Sequence, residues 1–256
     1  MRTIIILVKN SLKEILRKKD FYVLLILLFA FVFYLSSISF FQEKGITRYL
    51  KEASLQIVWI FSLVIAIPAA AKQIPDELKS FTIYPLLSKP VTRFQFILGK
   101  FFAAGLASIF SYTVFCLVFL SCLWFKNSTV DFIVFFQMYY LQCLFLLLIS
   151  SVGICFSLFL TPSANVSILF LLYFFILGFA SRLKAMAEGV FFLKAWVFKA
   201  LYFILPHFEF FDLRLRFIHD WPGIPFWTIL AITGYAVCYI SIFLILANAY
   251  FRKKVL

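Results

Sequence analysis

Residues 132–160 read FIVFFQMYYLQCLFLLLISSVGICFSLFL, an unbroken run without Asp, Glu, Lys, Arg or His. A helix needs about 20 residues to cross the roughly 30 Å hydrocarbon core of a bilayer, and this stretch is longer than that. Outward from it, uncharged apolar runs recur at Phe21–Phe41, Ala53–Ala71, Phe101–Phe125, Pro162–Ser181 and Phe226–Phe251. These runs are continuous and rich in Leu, Ile and Phe instead of alternating every second residue. Helices, not barrel strands, therefore satisfy the backbone in lipid. The chain reads as an all-α polytopic membrane protein with six transmembrane helices in a single domain over residues 1–256. Composition agrees: 64% of the residues are hydrophobic, against about 45–50% apolar residues in soluble domains.

A formal charge of +13 raises nucleic acid as a partner, but the positive residues cluster at the ends of the apolar runs, where they orient helices in a bilayer. No nucleic-acid partner is expected. With the N-terminus in the cytoplasm, the inner segments hold Arg2, Lys9, Lys13, Arg17, Lys18 and Lys19, then Lys72, Lys79, Lys89, Arg93 and Lys100, then Arg252, Lys253 and Lys254. The short outer loops hold Lys44, Arg48, Lys51 and Lys126. That asymmetry fits N-in, C-in and an even number of spans. Cys116, Cys122, Cys143, Cys155 and Cys238 all lie inside apolar runs and form no CxxC or metal spacing, so they behave as small hydrophobes. The first apolar run is too long for the core of a signal peptide and follows a basic segment, which marks it as an uncleaved anchor.

Two flanking segments have their own pattern. In residues 1–20, Ile5, Val8, Leu12, Ile15 and Leu16 recur at helical spacing while Lys9, Lys13, Glu14 and Arg17 take the other face. This is an amphipathic elbow helix lying at the membrane surface. Residues 182–225 are too polar to cross freely, yet contain an apolar stretch, Val190–Leu205, broken by Lys194 and Lys199. An external re-entrant or interfacial hairpin stopped by Pro206 fits this pattern. Reading Val190–Leu205 as a span would place Arg252, Lys253 and Lys254 outside, against the charge rule.

Chemistry inside the spans is sparse. Transport driven by protons or sodium calls for ionisable groups within the membrane, and the six runs contain none. Hydroxyls such as Ser108, Ser111, Ser150, Ser151 and Ser157 have no in-span base to activate them, and Gln137, Gln142, Asn165 and Asn248 read as interhelical glue. His207, Glu209, Asp212, His219 and Asp220 are metal-ligand types, but their spacing matches no zinc or di-metal signature; ion pairing with Arg214 and Arg216 fits them better. No GxxxxGK[ST] phosphate cradle occurs, so no ATP hydrolysis is expected of this chain, and no cofactor.

The one densely polar stretch between two spans on the inner side is KQIPDELKSFTIYPLLSKPVTRFQFILGK, residues 72–100. Glu77, then Thr82, Leu86-Leu87-Ser88, Pro90-Val91, Arg93 and a closing Gly99-Lys100 follow one another within it. In this it resembles the ABC type 2 (ABC-2) transporter permease family, whose members show a Glu, a Thr five positions on, a Leu-Leu-Ser-x-Pro-Val-Ser-Arg-like stretch and a Gly-Lys opening the third span. Thr92 replaces the Ser before Arg93. The order of elbow, six spans and long fifth connection follows the family over the whole chain.

The resemblance implies a permease subunit of the bacterial inner membrane, forming the translocation path of an exporter and driven by separate ATP-binding-cassette subunits. It implies pairing with a second permease, as a homodimer or heterodimer. The coupling residues it implies are Asp76, Glu77, Lys79, Thr82, Leu86, Leu87, Pro90 and Arg93. Pro75 favours a helix start, and Asp76 and Glu77 complement its positive end, so a short coupling helix is expected near Asp76–Phe81, ending around Pro85. Two other readings remain: a non-transporting membrane scaffold that recruits a cytoplasmic partner through the same segment, and a membrane enzyme with its site at His207–Asp220.

Overall fold

A computed structural model describes residues 2–17, 19–37, 43–79, 92–125, 130–188 and 206–253. Among them there is no strand. The helices are α1 (Arg2–Arg17), α2 (Lys19–Ser37), α3 (Glu43–Ala71), α4 (Gln73–Lys79), α5 (Arg93–Phe125), α6 (Phe132–Ser157), α7 (Pro162–Glu188), a 3-10 turn at Phe208–Phe211, α8 (Arg214–Ile218) and α9 (Phe226–Lys253).

Local chemistry sets several of these boundaries. Asp131 caps α6, its carboxylate accepting the amides of Ile133 at 2.9 Å and Val134 at 3.4 Å. Pro162 opens α7, where its missing N–H is no loss. Pro68 lies inside α3 and cannot donate to the Val64 carbonyl, a defect that neighbouring helices make tolerable in a membrane bundle. After a turn at Lys72 the chain resumes helix: the Lys72 amide donates to the Pro68 carbonyl at 3.1 Å and the Asp76 amide to the Lys72 carbonyl at 3.0 Å. α4 is thus an extension of α3, with Pro75 in its first turn.

Among the described residues, four helical stretches are long and apolar enough to cross a bilayer: Arg48–Leu78, Arg93–Phe125, Phe132–Ser157 and Phe226–Arg252. The first and fifth expected spans coincide with shorter apolar stretches, Tyr22–Phe31 in α2 and Pro162–Gly178 in α7. Helices also outrun the apolar runs that mark them. Lys44, Arg48 and Lys51, expected in a loop, are helical residues of α3, and α7 continues past Ser181 to Glu188. Hydropathy reports where lipid contact ends, whereas helix persists until a breaker stops it.

The core sits where α3, α5 and α6 pack. Trp59 of α3 stacks on Phe145 of α6 with ring centroids 5.4 Å apart, and Gly153 of α6 lets that helix close on Ala70 of α3. Phe208 and Phe211 of the 3-10 turn are buried and reach the same Phe145 ring at 5.2 and 6.0 Å. The described part of the 182–225 connection therefore plugs one end of the bundle; Val190–Leu205, expected to form the re-entrant or interfacial element, lies outside the described residues.

Candidate functional site

At the other end of the bundle, α1, α4 and the start of α5 meet on one side chain. Lys100 lies seven residues beyond Arg93, about 10 Å along α5 at 1.5 Å per residue, and is 1% exposed. Its ammonium makes an ion pair with the Glu77 carboxylate of α4, donates to the Ser11 hydroxyl of α1 at 2.8 Å, and lies 5.9 Å from the centre of the Phe96 ring. A buried ammonium is costly unless an opposite charge and further hydrogen-bond partners surround it, and Lys100 has both. Ser11 is itself buried, whereas Lys9, Lys13 and Arg17 of the same helix are exposed. This amphipathic helix thus turns one small polar residue inward and these three cations outward.

Arg93 ties the same end to α9. Its guanidinium donates to the carbonyls of Phe251 at 2.8 Å and Arg252 at 3.0 Å and lies 5.7 Å from the Phe251 ring centre. These carbonyls belong to the last turn of α9, where intrahelical donors run out. Phe251 is buried and stacks on Phe96 at 5.8 Å, so α5 and α9 also meet through their rings.

The structure thus brings Glu77 and Arg93 into one assembly with Lys100 and Ser11, and leaves Asp76 half-buried on α4. Lys79 is the last residue of α4. The short helix begins at Gln73, ahead of the expected Asp76–Phe81. Thr82, Leu86, Leu87 and Pro90 lie outside the described residues. Sequence reasoning missed Lys100 and Ser11 as members of the assembly. Gly99-Lys100 stood out as a motif, but Lys100 read as one more headgroup anchor; its place at the buried edge of an apolar run was the available signal.

The five metal-ligand types after Pro206 disperse to separate partners. His207 donates its backbone amide to the Tyr235 hydroxyl at 2.9 Å. Asp212 pairs with Arg214 at 2.6 Å, and Asp220 with Lys51 at 2.8 Å. His219 lies 2.6 Å from the Arg48 guanidinium, and Glu209 is exposed on the 3-10 turn. Arg214 also spreads over Trp59, 4.3 Å from the ring centre, while Arg216 donates to the Pro222 carbonyl at 3.0 Å instead of to a carboxylate. Among the described residues no three His, Cys, Asp or Glu side chains converge. Arg48, Lys51, Gln56 and Trp59 of α3 are what this segment grips, so it acts as a clasp on the bundle end opposite the Lys100 assembly.

Compared with known protein families, residues 5–254 match the family described as ABC-2 family transporter protein. The chain belongs to that family. No curated relative matches it. The match covers nearly the whole chain, so the protein is an ABC-2 permease and the Lys100 assembly is a feature of an ABC transporter's membrane subunit. Among the described residues, an open, largely apolar hollow of about 370 Å³ lies against α6 and α9, lined by Cys155, Phe156, Phe159, Phe243, Leu246, Ala249 and Tyr250.

Proposed function

We propose that the permease forms the translocation path of an exporter in the bacterial inner membrane, with six spans, α1 as the interfacial elbow, and both ends of the chain cytoplasmic. It hydrolyses no ATP itself. Separate ATPase subunits dock on the segment containing Asp76, Glu77, Lys79, Thr82, Leu86, Leu87, Pro90 and Arg93, and two permeases pair, as identical or different chains, so that closure of two ATPases moves both. The binding of ATP then selects between inward and outward arrangements of the spans through its differential affinity for the two.

The observation that carries this reading is the convergence of α1, α4, α5 and α9 at one end, where α4 prolongs a span beyond its apolar run and is held by the Glu77–Lys100 ion pair, while Arg93 joins α5 to α9. A span that ended in a solvated loop would not need its Glu77 locked to the next span and, through Lys100, to α1. The test is assembly with an ATPase subunit encoded beside the permease. Wild-type permease in detergent or nanodiscs should retain the ATPase through purification, and the charge reversals Asp76→Lys with Lys79→Glu should lower retention at least tenfold while membrane insertion is unchanged. Equal retention by the reversed protein would remove α4 as the docking element, and no retention by the wild type would favour a scaffold without an ATPase.

A further inference from the structure

We infer that Lys100 is a positioning residue for energy coupling: its ammonium clamps α4 to α1 and α5, so that displacement of α4 moves the amphipathic helix and the transport span as one body. This rests on the reading that α4 meets the ATPase, and goes beyond it by naming the side chain that carries the motion onward.

The geometry points to this role because the Lys100 side chain joins three elements through polar contacts. Its backbone belongs to α5, its ion-pair partner Glu77 to α4, and its hydrogen-bond acceptor Ser11 to α1. Both ends of the ion pair are shielded, Lys100 at 2% and Glu77 at 15% side-chain exposure, so water screens the attraction little. The turn at Lys72 keeps α4 continuous with α3 through hydrogen bonds to the Pro68 and Lys72 carbonyls, and Pro68 interrupts the ladder just before it. α4 therefore has a weakened joint behind it and a charged clamp beside it. Force applied to α4 passes through the clamp to α1 and α5 more directly than along the proline-interrupted backbone. Glu77, which the motif places in the docking segment, turns its carboxylate to this clamp, and Asp76 beside it is half-buried. Arg93 extends the same body to the end of α9.

The test uses the assembled permease–ATPase complex in nanodiscs and reads ATP turnover per complex, normalised to the ATPase retained, with vanadate-trapped and nucleotide-free states compared. Lys100→Met should keep the ATPase bound and lower normalised turnover at least tenfold. Exchanging the charges, Glu77→Lys with Lys100→Glu, should recover at least a third of the wild-type rate. Ser11→Ala leaves no buried charge behind and should lower turnover two- to fivefold, which keeps the inference testable where Lys100→Met does not insert. If Lys100 only stabilises the fold, the variants melt earlier yet turn over ATP at the wild-type rate per retained complex, and the inference is overturned. It is likewise overturned if Ser11→Ala is silent and the charge exchange rescues nothing. Loss of ATPase retention by the wild-type protein would instead defeat the docking reading, so the two failures are distinct.

Discussion

Lys51 and Lys100 are both buried, at 4% and 1% exposure, but their carboxylate partners differ: Asp220 is 61% exposed on its side chain and Glu77 only 15%. Removing a partner hurts in proportion to the charge left stranded out of water. Asp220→Asn strands Lys51 beside Phe217, whose ring centre is 5.3 Å away, and is expected to destabilise the protein by about 1–3 kcal/mol. Lys51→Met leaves a carboxylate that water already reaches and should cost less. Asn tolerates the left-handed backbone at Asp220, φ 52°, so the comparison isolates the charge; the melting temperatures of the two variants in one detergent decide it. Arg93→Ala uncovers the Phe251 and Arg252 carbonyls at a cost of about 1–2 kcal/mol, so amides in the last turn of α9 should exchange roughly tenfold faster, and unchanged exchange would mean the guanidinium is dispensable there. The residue types of this assembly were legible in the sequence, since Glu77, Arg93 and Gly99-Lys100 all stood out. The pairing was not: Glu77 and Lys100 are separated by a stretch whose path no local rule gives, and Ser11 belongs to a helix whose docking face depends on tertiary contact.

Helix packing turns on where a side chain is missing. A methyl group at Gly153 would come within 2.8 Å of the Ala70 Cβ and 3.2 Å of Leu169 Cδ1, while one at Gly105 would meet Leu147 Cδ2 at 2.5 Å. Leu147 is a flexible tip that swings to another rotamer, but Ala70 moves only with α3. Gly153→Ala should therefore lower stability by about 1–3 kcal/mol as α3 and α6 separate, and Gly105→Ala by less, despite its shorter contact; thermal unfolding of both variants gives the order. A reversed order would mean that α3 yields more easily than one leucine. The long apolar helices α6 and α9 were legible to within three residues at each end, because lipid leaves a continuous signal, whereas α5 starts at Arg93, eight residues ahead of its apolar run. The 3-10 turn that inserts Phe208 and Phe211 was hidden, since two aromatics among polar residues look interfacial until Phe145 is found beneath them.

For the whole molecule, the two polar ends differ in kind. One is a clasp, formed by residues 206–225 over the start of α3; the other joins Lys100 and Arg93 to α1, α4 and α9. α9 connects them over 28 residues, about 40 Å at 1.5 Å per residue, so Trp221 and Arg252 belong on opposite faces of the membrane. In a background lacking the five native cysteines, a membrane-impermeant maleimide added to intact cells should label Trp221→Cys readily and Arg252→Cys only after permeabilisation. The reverse pattern would put α4 beyond reach of a cytosolic ATPase. The bonds from Arg93 to the carbonyls of Phe251 and Arg252 span 158 and 159 residues of chain, which has a consequence for biogenesis. While the ribosome is still threading later helices into the bilayer, the guanidinium at the head of α5 has nothing to close upon. Until α9 is complete this end of the bundle stays unfastened, and a product truncated before Phe251 never closes it.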